Sequence, residues 1–158
     1  MLIEVKVKVA WIIDTKVQRK LETYILDKEV FAEAEYEVMS LLNDYKTEGT
    51  VEDYEIQSLK ISSIKEIMTQ FEGECSFIAS LKDVLLQLQD DGSEKTIKYK
   101  VLLWADNISD AMAHVREIAS QGYDMQIDSL KEVNYTYLIS QNNGRGSTVS
   151  ENQVTEDA

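Results

Sequence analysis

Two stretches of this chain, 71 residues apart, read almost alike: Ile56-Gln57-Ser58-Leu59-Lys60 and Ile127-Asp128-Ser129-Leu130-Lys131. Further upstream, Phe31 and Ala34 correspond to Ile108 and Ala111, and Tyr24 and Leu26 to Val101 and Leu103, at an offset of 77. A shorter helix-to-strand loop in the second half accounts for the difference. Self-similarity at a fixed period is the mark of a repeated supersecondary unit. A single small unit exposes one sheet face and buries little, whereas two units can share the burial.

The pattern within each half sets the unit. Residues 2–13 alternate, with Ile3, Val5, Val7 and Val9 on one side and Glu4, Lys6 and Lys8 on the other. That is a half-buried strand. Asp14-Thr15 turns the chain, and 16–26 return. Over 28–45 the period changes: Phe31, Ala34, Val38, Leu41 and Leu42 recur at three and four, the stripe of an amphipathic helix. Gly49 ends it, and 53–64 form a third strand.

The second half repeats the order. Residues 76–89 and 95–104 flank Asp91-Gly92, a strong hairpin signal because glycine tolerates positive φ. The helix at 107–121 carries Ile108, Ala111, Met112, Val115, Ile118 and Ala119 on one face, with Asn107 as N-cap and Gly122 at its end. A last strand covers 123–138.

The expected fold class is therefore α+β, a tandem duplication of a ββαβ unit with antiparallel sheets each covered by one helix. The Phe31 and Ile108 stripes face those sheets. The expected boundaries are a first unit at 1–65, a linker at 66–75, a second unit at 76–139 and a disordered polar tail at 140–158.

The strand exit and helix entry, Tyr24-Ile25-Leu26-Asp27 followed by Phe31-Ala32-Glu33-Ala34-Glu35, resemble a family from Bacteroidetes and their phages, catalogued as domain of unknown function 4494. Leu102-Leu103-Trp104-Ala105-Asp106-Asn107-Ile108 looks like the same signature repeated. The resemblance spans roughly residues 1–139. It implies a phage or mobile-element origin and no established activity, so no functional residue is carried over from it.

Composition narrows the function classes. No apolar run approaches the ~18–20 residues that cross a bilayer, and the N-terminus does not read as a signal peptide. Cys75 is the only cysteine, so no intrachain disulfide forms. The expectation is a reducing cytoplasm (of the host, for a phage-encoded chain) or a virion assembled there, with no membrane partner. The formal net charge is −13, which repels phosphate and anionic lipid overall.

The residues present do not assemble a catalytic constellation. His114, the single histidine, lies off its helix stripe with Asp110 one turn earlier, which reads as a solvated surface pair rather than an acid–base dyad. Cys75 has no histidine near it in sequence, and no glycine-rich loop opens a helix. Asp90-Asp91 is explained by a turn. The expectation is a non-enzyme without cofactor or metal.

Charge segregation is the one pattern above background. The first hairpin carries Lys6, Lys8, Lys16, Arg19 and Lys20 against Glu4, Asp14 and Glu22; the second carries Lys82, Lys95, Lys98 and Lys100. Alternation puts Lys98, Lys100, Leu102 and Trp104 on one face. If both hairpins lie in one sheet, Lys6, Lys8, Lys98, Lys100 and Trp104 make a basic strip with an aromatic at its edge, as single-strand binders use. The plainer explanation is lysine protecting strand edges.

The leading expectation is thus a non-enzymatic phage or mobile-element protein binding single-stranded nucleic acid through a basic sheet face. The alternatives are an acidic antagonist of a host defence protein or a sponge for a small nucleotide signal, and a structural or cargo component of a virion. Host or phage proteins and a homo-oligomer are the other partners considered.

Overall fold

The computed structural model describes residues 1–85, 95–121 and 125–139, with side chains described at 1–82, 98–121 and 125–139. The strands are β1 (Leu2–Ile13), β2 (Lys16–Asp27), β3 (Val51–Ile61), β4 (Glu66–Met68), β5 (Cys75–Leu85), β6 (Lys95–Ala105), β7 (Met125–Val133) and β8 (Tyr135–Leu138). Helix α1 (Phe31–Glu48) follows β2, and α2 (Ile108–Ser120) follows β6. The α+β class holds. The chain forms two compact units: Met1–Ser62 with the segment from Asn134 onward, and Ser63–Val133.

In the first unit the sheet order is β3-β1-β2-β8. Ile3, Val5, Val7 and Val9 of β1 and Tyr24 and Leu26 of β2 pack against Ala34, Val38 and Leu42 of α1. The two-residue hairpin pairs Ile13 with Lys16, and both turn residues have positive φ, 51° at Asp14 and 66° at Thr15. That is the mirror-image turn whose twist suits a β-ribbon, built without glycine. Gly49 closes α1 at φ 83°, while Thr50 N–H reaches back to the Tyr45 carbonyl at 3.0 Å.

In the second unit the order is β4-β6-β5-β7, and Phe77, Ala79, Leu81, Val101 and Leu103 pack against Ala111, Val115 and Ile118 of α2. Asn107 caps α2 as its sequence indicates, its Oδ1 accepting from Asp110 N–H at 2.9 Å. The Asp91-Gly92 turn, Gly122 and the tail at 140–158 lie outside the described residues.

The registers of the two units coincide. Ile3 opposes Leu26 and Phe77 opposes Leu103. On the other side Leu59 opposes Val5 and Leu130 opposes Ala79. Each third strand bulges at the matching point: pairing skips Gln57 between Lys6 and Val7, and Asp128 between Ser80 and Leu81. The repeated five-residue stretch therefore occupies equivalent positions, bulge included.

The condition for one shared basic strip is not met, and three expectations need correction. The hairpins lie in two separate sheets, so no single basic strip runs through both. The segment 66–75 is more than a linker: β4 pairs parallel with β6, and Phe71 packs against the α2 core. The stretch 123–138 is two strands. β7 completes the second sheet, and β8 joins the first, with Leu26 beside Leu138. Each sheet thus gains a short parallel strand at the same place, since Ile25–Tyr137 and Leu102–Ile67 are equivalent pairs. The stripes also begin one turn later than their spacing suggests. Phe31 is 43% and Ile108 54% exposed, because each is the first residue of its helix and helical side chains lean towards the N-terminus.

Candidate functional site

The most cationic sheet surface among the described residues is on the second unit. Strand alternation sends Lys82 of β5, Lys98 and Lys100 of β6 and Lys131 of β7 to the face opposite α2. Lys98 and Lys100 are exposed, as is Lys131. Lys82 and Lys98 are direct cross-strand partners, a like-charge pairing that costs stability. Among the described residues one carboxylate answers them. Asp128, the bulged residue of β7, lies 3.0 Å from Lys82 Nζ. The hydrogen bond from Lys82 holds its carboxyl below the usual range, with the charge of Lys98 adding to the effect.

Trp104 shares this face in register but is fully buried, as is Leu102. It offers no ring to a stacking base. Alternation assigns a side chain to a face, but burial depends on what packs over that face, so the sequence could not exclude this. Among the described residues the Trp104 indole N–H has no partner.

On the first unit, Lys6 is half-buried and Lys8 exposed, on the face away from α1. A shallow hollow of about 180 Å³ is lined by Lys8, Arg19, Glu52, Asp53, Tyr54 and Glu55. Glu55 is the cross-strand partner of Lys8. This end is therefore mixed in charge. Farther along, Glu4 is buried, accepts from Ser62 Oγ at 2.6 Å and lies 3.9 Å from Lys60. Sequence reasoning missed Lys82 and Lys131 as members of the cationic face. Their alternation was readable, but β7's register, with its bulge, was not.

The His114 ring stacks on Phe71 at 4.3 Å. The sequence suggests a surface pair with Asp110; the aromatic contact is additional and comes from the segment expected to be a linker. Burial pushes the Cys75 thiol up, with Glu132 and Glu74 adding to the effect, which opposes the thiolate a nucleophile needs. Tyr99 donates to Glu66, and its hydroxyl is pushed up to about 12, chiefly by burial. Among the described residues no group of carboxylates, histidines and cysteine is placed to hold a metal. No helix among them is long and apolar enough to cross a membrane.

A family model for a domain of unknown function, 4494, matches residues 1–151. No curated protein and no solved structure matches the chain.

Proposed function

The chain belongs to the family of domain of unknown function 4494, a description that carries no activity, and from its surface chemistry we propose a non-enzymatic protein that binds single-stranded nucleic acid. The second unit's sheet contributes Lys82, Lys98, Lys100 and Lys131, and Lys6 and Lys8 form a lesser contact on the first. The observation that carries this reading is the Lys82–Lys98 cross-strand pair. Facing like charges, offset here only in part by Asp128, run against a local stability rule, and such departures concentrate where function requires them. With Trp104 buried, the contacts are to phosphate rather than to stacked bases, so the binding is insensitive to sequence.

The test is fluorescence anisotropy of a labelled single-stranded oligonucleotide titrated at several salt concentrations. For three or four phosphates contacted, the log–log salt slope is about −2 to −3. Lys98→Glu with Lys100→Glu abolishes binding while leaving the fold intact, since both side chains are exposed. Absence of saturable binding at low salt would sink the reading.

A second reading rests on the net charge of −13: an acidic phage or mobile-element protein that antagonises a basic host protein. The outer face of α1 fits it, with Glu33 exposed and Tyr36 and Met39 presenting apolar surface. Glu33→Lys with Tyr36→Ala removes such capture and leaves oligonucleotide binding unchanged.

A further inference from the structure

The outer edge of β2 is only half covered. β8 pairs with Thr23–Leu26, and Lys16–Leu21 have no neighbour on that side among the described strands. All of Lys16–Leu21 is exposed. The hairpin register shows which backbone groups are free. Ile13 and Lys16 flank the two-residue turn as a hydrogen-bonded pair, so even-numbered residues of β2 bond to β1 and odd-numbered ones point outward. The observed contacts agree: Thr23 N–H donates outward to the Asn134 carbonyl at 3.2 Å, and the Leu21 carbonyl is approached by Asn134 Nδ2 at 3.5 Å. The N–H and C=O groups of Val17 and Arg19, and the N–H of Leu21, therefore continue the ladder that β8 uses.

The side chains along this edge state what a strand laid there must carry. On the face away from α1 stand Val17, Arg19 and Leu21, with Val17 41% and Leu21 54% exposed. On the α1 face stand Lys16, Gln18 and Lys20. The strand's two carboxylates are already engaged: Glu22 accepts from Trp11 Nε1 at 2.8 Å and from the Tyr24 hydroxyl at 2.9 Å, and Asp27 accepts from the N-terminal ammonium at 2.7 Å. The edge therefore presents Arg19 and Lys20 between two apolar side chains, Val17 and Leu21, with Lys16 just before them and no carboxylate from Lys16 to Leu21.

We propose that the edge of β2 from Lys16 to Leu21 is a docking site for an extended acidic peptide segment, added as a further strand of the first sheet. The complementary segment has an apolar residue opposite Val17, adjacent carboxylates opposite Arg19 and Lys20, and an apolar residue opposite Leu21. Main-chain hydrogen bonds supply affinity and the alternate side chains supply selection. The site is separate from Lys82, Lys98, Lys100 and Lys131 of the second unit, which carry the nucleic-acid reading; of the lesser contact, Lys8 lines a hollow together with Arg19. A second copy of the chain is a poorer occupant, because pairing this edge with itself about its centre sets Arg19 against Arg19.

The probe is a capped synthetic peptide with two valines four positions apart that enclose two adjacent glutamates and one threonine, titrated into the full chain carrying ¹⁵N label. The amide resonances of Val17, Arg19 and Leu21 shift saturably, and the affinity falls with added salt. Arg19→Glu with Lys20→Glu weakens binding by at least roughly tenfold, because like charges then face each other across the new pair. The same peptide N-methylated at alternate residues no longer binds, a control that leaves the protein untouched. The proposal is overturned if the amides do not respond, or if the methylated peptide binds equally well. It is also overturned if the same amides shift on raising the protein concentration alone, or respond to an oligonucleotide and not to the peptide.

Discussion

At the scale of single residues, the two tryptophans show how far composition falls short of environment. Trp11 is half-buried beside Tyr45, with ring centroids 5.7 Å apart, and donates to Glu22. Trp104 is wholly buried with its N–H unpaired among the described residues. Deletion of the indole nitrogen should therefore act oppositely to what burial alone implies. Trp11→Phe loses a hydrogen bond to a carboxylate, which contributes about 1.5 kcal/mol or more. Trp104→Phe opens a small cavity but removes a desolvated donor that costs ~1–3 kcal/mol, so its net effect stays within about 1 kcal/mol. Urea denaturation of both variants checks this; a larger loss for Trp104→Phe would show that its N–H has a partner. From sequence, alternation correctly assigned Trp104 to the face of Lys98 and Lys100. It could not reveal that one end of that face is buried and the other wet.

At the scale of elements, hairpin, helix and bulge follow from local chemistry, and local chemistry also marks where the elements are imperfect. Thr15 is β-branched yet sits at φ 66°, where its Cβ crowds the following carbonyl. Asp14→Asn with Thr15→Gly supplies the residues the mirror-image turn prefers and should stabilise the chain by about 1 kcal/mol, read as a raised thermal midpoint. The start of α1 is equally open to improvement. Val30 holds the N-cap position without a side-chain hydrogen bond. Val30→Ser creates a Ser-x-x-Glu capping box with Glu33, for an expected gain of about 0.5–2 kcal/mol. An unchanged midpoint would mean that the exposed Val30 side chain contributes packing of its own. Gly73 works the other way. A Cβ there would stand 2.2 Å from the Ala105 backbone, so Gly73→Ala forces this segment off β6. Its glycine was visible in the sequence as punctuation, but the close approach that requires it was not.

At the scale of the whole molecule, the chain leaves the first unit at Ser62, builds the second, and returns at Asn134 to complete the first. Leu138 is thereby part of the first unit's core, 2% exposed among Leu26, Ala34 and Val38. Leu138→Ala should cost ~2–4 kcal/mol. Hydrogen exchange tells where the loss falls: amides of β1 and β2 lose protection, while those of β5 and β7 keep theirs. The reverse pattern would place the last strand in the second unit, as a reading along the chain suggests.

Sequence alone determined the strands of alternating residues, the two helical stripes, the Asn107 cap and the correspondence of Ile56–Lys60 with Ile127–Lys131. Each of these depends on φ, ψ and side-chain period within a few residues. Tertiary structure decided that 125–138 divides at Asn134, that β4 and β8 lie parallel to β6 and β2, and that Trp104 is covered while Val17 and Leu21 are bare. Strand pairing is made between residues far apart in the chain, and a short strand such as Tyr135–Leu138 carries the same local pattern whichever edge it joins. The choice is set by which edge offers unpaired backbone groups and an apolar place for Leu138, and only the folded chain contains that information.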